Sequence, residues 1–310
     1  MEATKRISAV PEPAREWGAG GWLEDIRLRA RSFGQRIGLG RAYALVTAPL
    51  RALPDFLIVG AQKAGTTSLY AYLCEHPQVL GARAKEVHYF DHQYQKSALW
   101  YRSNFPTRWA MLRRRVSTGK RVLTCESSPY YLFHPHSCRR IARILPRARI
   151  IIMLRAPAER AYSHYQHNVR AGWETLPFQE AVAQEPARLA PVVDRILRDQ
   201  LAPCNPHACY SYVSRGHYLE QVASYEAAFG RDHVKVISSE QFFAQPRQAY
   251  QEILEFLGLD AYEPSALREG RVLNAGTYPD DQAGTVQSLA RYFQPFNERL
   301  FQYLGRRFDW

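Results

Sequence analysis

The sequence predicts an α/β fold, a three-layer P-loop-like domain with a mostly parallel central sheet flanked by helices. Three observations predict it. Short apolar runs rich in β-branched residues recur along the chain, as is typical of buried parallel strands. Helix-like segments separate these runs, which indicates a parallel sheet. A glycine-bracketed loop joins the first run to a helix start, as in phosphate-binding loops.

The elements follow in chain order. The strand candidates are FLIV (56–59), RVLTC (121–125), RIIIML (149–154) and HVKVIS (233–238). Helices are predicted after Thr66, near Pro135, from Pro157, and over 217–229, 246–257 and 283–304. Parallel sheets bind ligands beyond the carboxyl ends of their strands. We therefore expect the chemistry in the loops after Val59, Cys125 and Leu154.

Residues 1–52 precede this pattern, and residues 53–310 carry it. The first segment interleaves apolar residues with arginines over 22–46, which favours one or two amphipathic helices packed on the domain or resting on an anionic membrane. No apolar run reaches the ~20 residues of a membrane-spanning helix. The N-terminus also lacks the apolar centre of a secretory signal. We therefore expect a cytoplasmic protein without a transmembrane segment.

The charge and the cysteine content of the chain limit the classes of ligand that it is expected to bind. The net charge of +12 and pI ≈ 9.6 favour an anionic ligand such as a nucleotide or an acidic glycan. No lysine-rich arm indicates nucleic-acid binding, and no pattern indicates an oligomeric state. Five cysteines, an odd number, suit a reducing compartment. CNPHAC (204–209) with His207 has metal-like spacing but no second ligand cluster, so we expect no metal.

The loop after the first strand has the composition of an anion site. Its predicted phosphate contacts are Lys63, Ala64, Gly65, Thr66, Thr67 and Ser68. Glycines let several backbone N–H groups face one anion, and the following helix N-terminus adds partial positive charge. An ATPase loop would need its lysine at position 66 and a Mg²⁺-binding aspartate after another strand. This chain has neither, so we expect phosphate binding without a metal ion.

A second anion site is predicted after the RIIIML strand. Arg155 follows the strand directly, and Ser163 lies about two turns into the helix that begins at Pro157. A guanidinium grips phosphate oxygens with two hydrogen bonds, and the hydroxyl adds a donor. The alternative is a local Arg155–Glu159 ion pair with Ser163 in solvent.

The two motifs VGAQKAGTTSL (59–69) and IIIMLRAPAERAYSHYQHNV (150–169) resemble the 5′-phosphosulfate loop and the 3′-phosphate motif of sulfotransferases. These enzymes use 3′-phosphoadenosine 5′-phosphosulfate (PAPS) as donor. The sequences of the two motifs are more similar to those of heparan-sulfate-type and bacterial carbohydrate sulfotransferases than to those of aryl and steroid enzymes. The resemblance covers roughly 54–310, including 215–242 and the ending GRRFDW. The missing anchor favours a bacterial source over a Golgi enzyme.

The resemblance implies the chemistry. PAPS would give its sulfuryl group to a hydroxyl or amine of a carbohydrate or glycoconjugate, leaving adenosine 3′,5′-bisphosphate (PAP), by in-line transfer without a metal. In heparan-sulfate-type enzymes the glutamate of the motif matched by AKEVHYFD (84–91) is the proposed general base, which implies Glu86 here. His88 would hold the acceptor or share the proton, and it becomes the base if the enzyme is of aryl type. Lys63 would neutralise the leaving oxygen, with Lys85 nearby. If 85–90 is extended, Glu86 and His88 share one face.

Two further stretches are expected at the cleft. In TCESSPYYLFHP (124–135), Glu126 would orient Lys63 or contact the acceptor, and Tyr130 would stack on adenine or a sugar. Heparan-sulfate 3-O-type enzymes carry a lysine after this glutamate, where this chain has Ser127, a departure that argues against a heparan-like acceptor. REGRVLNAGTYP (268–279) loosely matches the late loop over the 3′-phosphate, from which Arg271 is carried over.

Two other functions stay open at this point. The first is a kinase that uses ATP through a variant P-loop, which the displaced Lys63 and the missing Mg²⁺-binding aspartate oppose. The second is a non-catalytic protein that binds polyanions through its basic surface and would not bind PAP. The stretches 92–118 and 186–214 are candidate acceptor loops without a pattern that names the acceptor.

Overall fold

The computed structural model describes residues 37–268 and 282–310. Arg271 and most of the N-terminal segment therefore lie outside the described residues. The centre is a five-stranded sheet in the order β2-β3-β1-β4-β5, and every neighbouring pair is parallel. The strands are β1 (Phe56–Gly60), β2 (Val79–Gly81), β3 (Leu123–Ser127), β4 (Arg149–Leu154) and β5 (Val234–Ser238).

The parallel sheet confirms the predicted fold class. Every residue of β1 is buried, and Ile150, Ile151 and Ile152 of β4 have no exposed surface. This burial on both faces explains why the strands appear as continuous apolar runs rather than alternating patterns. β3 begins and ends two residues later than its predicted run, because Ile58 of β1 still pairs with Ser127.

The helices begin with α1 in the N-terminal part of the chain, and those from α2 onward connect and cover the strands. They are α1 (Ile37–Val46), α2 (Thr66–Glu75), α3 (Ala98–Arg102), α4 (Arg108–Thr118), α5 (Ser137–Ile144), α6 (Pro157–Arg170), α7 (Phe178–Arg198), α8 (Asn205–Tyr210), α9 (Tyr218–Phe229), α10 (Ser239–Ala244), α11 (Pro246–Leu257), α12 (Ser265–Arg268) and α13 (Ala283–Leu304). The predicted helices correspond to α2, α5, α6, α9, α11 and α13. α7 was not predicted, because it contains Pro186 and Pro191, and prolines in a sequence usually indicate a loop or the end of a helix.

Helix packing positions the strand ends. On α2, the Tyr72 ring stacks with Phe242 at 6.1 Å and meets Tyr250 edge-on at 6.2 Å. From α9, the Tyr225 hydroxyl donates to the Tyr131 carbonyl at 2.9 Å, which ties that helix to the loop after β3. The loops at the carboxyl edge are thereby held by helices as well as by strands.

The chain separates into two compact units, residues 1–46 and 47–310. Residues 47–52, which the sequence assigned to the N-terminal segment, are bonded within the larger unit. Arg51 Nη1 donates to the Phe105 carbonyl at 2.6 Å, and the Ala52 amide donates to the Pro106 carbonyl at 2.9 Å. Within the two described ranges, no helix combines the length and apolarity that crossing a bilayer needs.

Candidate active site

The loop between β1 and α2 lies against β4. The Ala61 amide donates to the Met153 carbonyl at 2.6 Å, which pins the loop beside the end of that strand. Gly65 caps α2 with a φ of +91°, and a Cβ there would come within 2.8 Å of the Phe243 ring. Only glycine fits this position without displacing the ring. Of the predicted phosphate contacts, Ala64, Thr66 and Ser68 are buried, whereas Lys63, Gly65 and Thr67 are half-buried.

Arg155 reaches this loop, as the two phosphate motifs require. Its Nη1 donates to the Lys63 carbonyl at 3.3 Å, and its Nη2 lies 3.7 Å from the Glu159 carboxylate. The local ion pair that the sequence offered as the alternative to phosphate binding is therefore present, and phosphate binding by Arg155 stays a prediction. Ser163 is buried on α6, and its contact with a 3′-phosphate stays a prediction.

The segment 84–91 lies along the end of β3. The Glu86 amide donates to the Ser127 carbonyl at 3.0 Å, and the His88 amide donates to Ser128 Oγ at 3.2 Å. The expected extended backbone is wrong, because Glu86 and His88 have φ values of +66° and +53°. Their side chains nevertheless meet, with Glu86 Oε2 at 3.2 Å from His88 Nε2.

Ionisable side chains form a continuous chain from solvent to the interior. Lys85 Nζ lies 2.7 Å from Glu86 Oε1, and His88 Nδ1 lies 2.8 Å from Asp91 Oδ2. The Glu86 side chain is 35% exposed and that of Asp91 is 0% exposed. Of the two carboxylates and the imidazole, Glu86 is therefore the most exposed, with His88 and Asp91 behind it.

The charges of this chain follow from its contacts. Burial alone would raise the pKa of Glu86, but Lys85 and the His88 hydrogen bond outweigh it and hold that pKa well below the ordinary range. Burial would lower the pKa of His88, but Asp91 and Glu86 raise it to about 10. Glu86 is thus a carboxylate and His88 an imidazolium at neutral pH.

The three residues predicted as catalytic share a rare backbone conformation. Lys63 (φ +70°), Glu86 and His88 are the non-glycine residues with positive φ across the described ranges. Such conformations cost about 1–3 kcal/mol each and persist where surrounding structure imposes them, often at functional sites. The rare conformation therefore falls on the three residues that the sequence predicts to be catalytic.

Glu126 and Tyr130 are buried, whereas the sequence placed them at an open cleft. Glu126 is fully buried, and its Oε1 accepts a hydrogen bond from the Tyr101 hydroxyl at 2.9 Å. Burial raises its pKa to about 8, so it is a neutral acid at pH 7. Tyr130 is also buried, with its hydroxyl 2.7 Å from His207 Nδ1. Burial therefore opposes direct contact of either side chain with an acceptor or an adenine ring, and the orientation of Lys63 by Glu126 stays a prediction.

A compact His/Asp group stands at the inner end of the ionisable chain. The ligand atoms of His88, Asp91 and His92 lie within 4.8 Å of one another, a spacing that a metal ion could use. The contacts of Asp91 already account for the arrangement, because one oxygen meets His88 Nδ1 and the other accepts from the His92 amide. His207 of the CNPHAC stretch does not belong to this group, because its Nδ1 is hydrogen-bonded to the Tyr130 hydroxyl.

Sequence reasoning missed Arg215. Its buried guanidinium donates to Gln62 Oε1 in the loop after β1 and, at 2.6 Å, to the Ala208 carbonyl of α8. It also lies 4.8 Å from the centre of the Tyr130 ring. Arg215 thereby fastens the loop to two neighbouring elements. The only signal was one arginine before a glycine, among many arginines in the chain.

Together these features define a class of enzyme. A predicted phosphate loop and an arginine meet near an ionised carboxylate at the carboxyl edge of a parallel sheet, an arrangement that suits group transfer from an anionic donor. The family follows from comparison. Residues 53–273 match the sulfotransferase domain family, and the chain belongs to that family.

Individual relatives agree. The chain is 27% identical to heparan sulfate glucosamine 3-O-sulfotransferase 6 of Mus musculus, over 99% of this chain and 84% of that protein. It is 26% identical to the bifunctional heparan sulfate N-deacetylase/N-sulfotransferase 1 of Caenorhabditis elegans, over 83% of this chain and 30% of that protein. A solved sulfotransferase from Alicyclobacillus acidocaldarius is 31% identical, with a TM-score of 0.59 over 83% of this chain and 98% of the other. The predicted family and sulfuryl-transfer activity are confirmed.

Proposed function

We propose that the protein transfers the sulfuryl group of PAPS to an alcohol or amine of a carbohydrate or glycoconjugate, with Glu86 as general base. The observation that carries this proposal is the ionised Lys85–Glu86–His88–Asp91 chain beside the phosphate loop. Glu86 bonds to Ser127, and the neighbouring amide of Ser128 donates to the Ile58 carbonyl of β1 at 3.2 Å. The base and the loop therefore occupy adjacent strand ends, about 4.8 Å apart between strands.

The donor would span the two anion sites. Lys63 and the start of α2 suit its 5′-phosphosulfate, because a lysine and a helix N-terminus favour the same anion. Arg155 suits the 3′-phosphate, with Ser163 and Arg271 as further proposed contacts. The Arg155–Lys63 contact at 3.3 Å supports this division, since it holds the two sites side by side.

The proposed transfer step uses the side chains of Glu86, Lys63 and His88. The acceptor oxygen attacks sulfur in line with the departing 5′-phosphate oxygen, and the S–O bond to that phosphate breaks. The Glu86 carboxylate takes the acceptor proton as its new O–S bond forms. Lys63 places its positive charge at the departing oxygen of PAP. The His88 imidazolium, held by Asp91, keeps Glu86 oriented and ionised between turnovers.

A carbohydrate acceptor is supported by the relatives, whose names specify heparan sulfate. The net charge of +12 also favours an acidic acceptor. Ser127, where the resemblance expects a lysine, opposes a heparan-like chain as the natural acceptor. We therefore propose a glycan or glycoconjugate of other composition.

The remaining proposals concern the cellular compartment and the source of the protein. Five free cysteines support a reducing compartment such as the cytoplasm, and a bacterial source stays a prediction. Fractionation of the native host, followed by thiol titration of the purified protein, tests both the compartment and the free thiols. Oxidised cysteines in the native protein would contradict this proposal.

Two assays test the function. PAP at 100 times its Kd should stabilise the protein by ~2.7 kcal/mol in a thermal-shift experiment, whereas Mg-ATP should stabilise it much less. Transfer from radiolabelled PAPS should then be screened over neutral and acidic glycans. Stabilisation by Mg-ATP in place of PAP would favour the kinase. Polyanion binding without any PAP response would favour the non-catalytic protein.

A further inference from the structure

α4 carries an apolar stripe that the described fold does not use. Trp109, Leu112 and Val116 follow one another at three- and four-residue spacing, so they share one helix face. They are 67%, 49% and 76% exposed, and the helix buries none of its side chains. Met111 and Thr118 are half-buried and mark the face toward the domain. At 100° per residue, Trp109 and Val116 point almost directly away from it.

The exposed stripe belongs to a larger corner of the molecule. Arg102 Nε donates to the Arg51 carbonyl at 2.6 Å, and Arg51 pairs with Thr107 directly before α4. This corner also exposes Leu50 (66%) and Leu99 (50%). Single exposed leucines are ordinary on protein surfaces, but large apolar side chains grouped on one corner indicate an interaction surface.

The charge around the stripe has one sign. Residues 92–125 contain no aspartate or glutamate. The basic residues of this stretch are Lys96, Arg102, Arg108, Arg113, Arg114, Arg115, Lys120 and Arg121. On α4, Arg108 and Arg115 flank one side of the stripe and Arg113 flanks the other. Within 37–268 and 282–310, no salt bridge involves the arginines of this helix, and all are exposed.

An apolar stripe between arginines fits one kind of partner better than the others. A lipid interface accepts Trp at the headgroups, Leu and Val at the acyl boundary, and Arg beside lipid phosphates. An acidic glycan would use the arginines but leave Leu112 and Val116 in water. A second copy of the chain would place like charges against each other. We propose that α4 docks the protein on an anionic lipid bilayer.

Docking through α4 leaves the active site clear. α4 ends shortly before β3 begins, at the amino edge of the sheet, whereas Glu86 is bonded to the last residue of β3 at the carboxyl edge. This contact differs from the one predicted for the N-terminal segment, because it uses a helix of the catalytic unit. It goes beyond sulfuryl transfer and predicts where that transfer takes place.

Vesicle flotation of the full chain tests the proposal. Binding to phosphatidylcholine vesicles with about a third phosphatidylserine should exceed binding to phosphatidylcholine alone by at least tenfold, and should weaken with salt. The pair W109S/L112S and the triple R113Q/R114Q/R115Q should each reduce anionic-vesicle binding about tenfold or more. PAP affinity, measured by calorimetric titration, should not change, because the altered residues lie outside both predicted phosphate motifs. The matched control L197S/L201S alters two leucines that are also exposed (56% and 59%) and should bind like wild type.

Three results would overturn the proposal. The first is equal vesicle binding by wild type and both α4 variants. The second is a wild type that does not bind vesicles but binds a sulfated glycan, with the glycan binding lost in R113Q/R114Q/R115Q. That result would assign α4 to a glycan. The third is a concentration-dependent dimer in sedimentation that W109S/L112S abolishes, which would assign the stripe to a second copy. Thermal unfolding of each variant confirms its fold, since the altered residues are exposed.

Discussion

Glu86 and Glu126 lie at the same edge of the sheet in opposite environments. The Glu86 amide bonds to Ser127, the residue directly after Glu126. Glu86 is flanked by Lys85 and an imidazolium, and its pKa is lowered. Glu126 is enclosed, bonded to the Tyr101 hydroxyl, and burial raises its pKa to about 8. One carboxyl is ionised at neutral pH, and the other is protonated.

The difference shows what separates an ionised, accessible carboxyl from a buried, protonated one. Both glutamates lie at the carboxyl edge of the sheet, so position alone marks both as candidates. Partner charge and solvent access decide between them. Ser127 leaves Glu126 without a neighbouring cation on its strand, while Lys85 supplies one to Glu86.

Replacing Glu86 should have the largest effect. E86Q keeps the size of the side chain but cannot accept the acceptor proton, so kcat should fall about 10³-fold, within the range of general-base removal. PAP affinity should stay within about twofold of wild type, because Glu86 does not bind the donor in the proposed mechanism. Steady-state rates and calorimetric titration with PAP measure the two quantities. An E86Q enzyme with near-normal kcat would contradict the role of Glu86 as the general base.

Replacing Lys63 should affect binding and rate together. K63A removes the charge at the 5′-phosphosulfate and at the departing oxygen, so kcat should fall about 10²-fold and PAP affinity about tenfold. The same two measurements apply. A loss confined to kcat, as in E86Q, would assign Lys63 to the acceptor side of the site.

Removing the charge of Asp91 should move the alkaline limit of activity. The raised pKa of His88 means that its contribution to stability is complete below pH ~6.5 and is lost as pH rises through about 10. D91N removes the main cause of the raised pKa, so the alkaline fall in kcat/KM should move to lower pH by at least one unit, which is at least about a twofold loss at pH 9. A pH profile of each enzyme checks this. The stability difference between wild type and D91N should also be larger at pH 6 than at pH 10, and an unchanged profile would contradict the coupling.

Loosening Arg215 should weaken donor binding. Q62A removes one end of the Arg215–Gln62 bond, and R215K replaces the planar fork with a single ammonium group. Both should raise KM for PAPS about fivefold with kcat changed less than twofold, since the loop is mispositioned while the base is intact. Q62A should do so with little change in Tm. Loss of kcat without a change in KM would place Arg215 in another role.

Replacing Glu126 should have the smallest effect on rate. E126Q keeps the acceptor oxygen for Tyr101 and stays neutral, so kcat should remain within about twofold of wild type. The raised pKa of Glu126 means that wild type loses stability as pH rises from the unfolded value of ~4.3 through about 8. E126Q has no such loss, so its Tm should exceed that of wild type by a few degrees at pH 8 and less at pH 5. A large loss of kcat would return Glu126 to the reaction.

Local signals predicted the parts of the site that local sequence determines. The glycine bracket around Lys63, the strand before Arg155 and the proline that begins α6 are each encoded within a few residues. The conformation of 84–91 is not, because Ser127 and Ser128 impose its positive φ values across the sheet edge. The burial of Glu126 also depends on a distant contact, since Tyr101 comes from the short, unpredicted helix α3. Arg215 gains its role only when Gln62 is folded against it.

The protonation states of the two carboxyls test the central claim most directly. Carbon-13 NMR of protein labelled at the glutamate side-chain carboxyl, with E86Q and E126Q to assign the two signals, gives both titrations in one experiment. We predict that the Glu126 signal titrates near pH 8 and that the Glu86 signal stays that of a carboxylate to below pH 4. A Glu86 signal that titrates near neutral pH, or a Glu126 signal already ionised at pH 7, would contradict the assignment of the base.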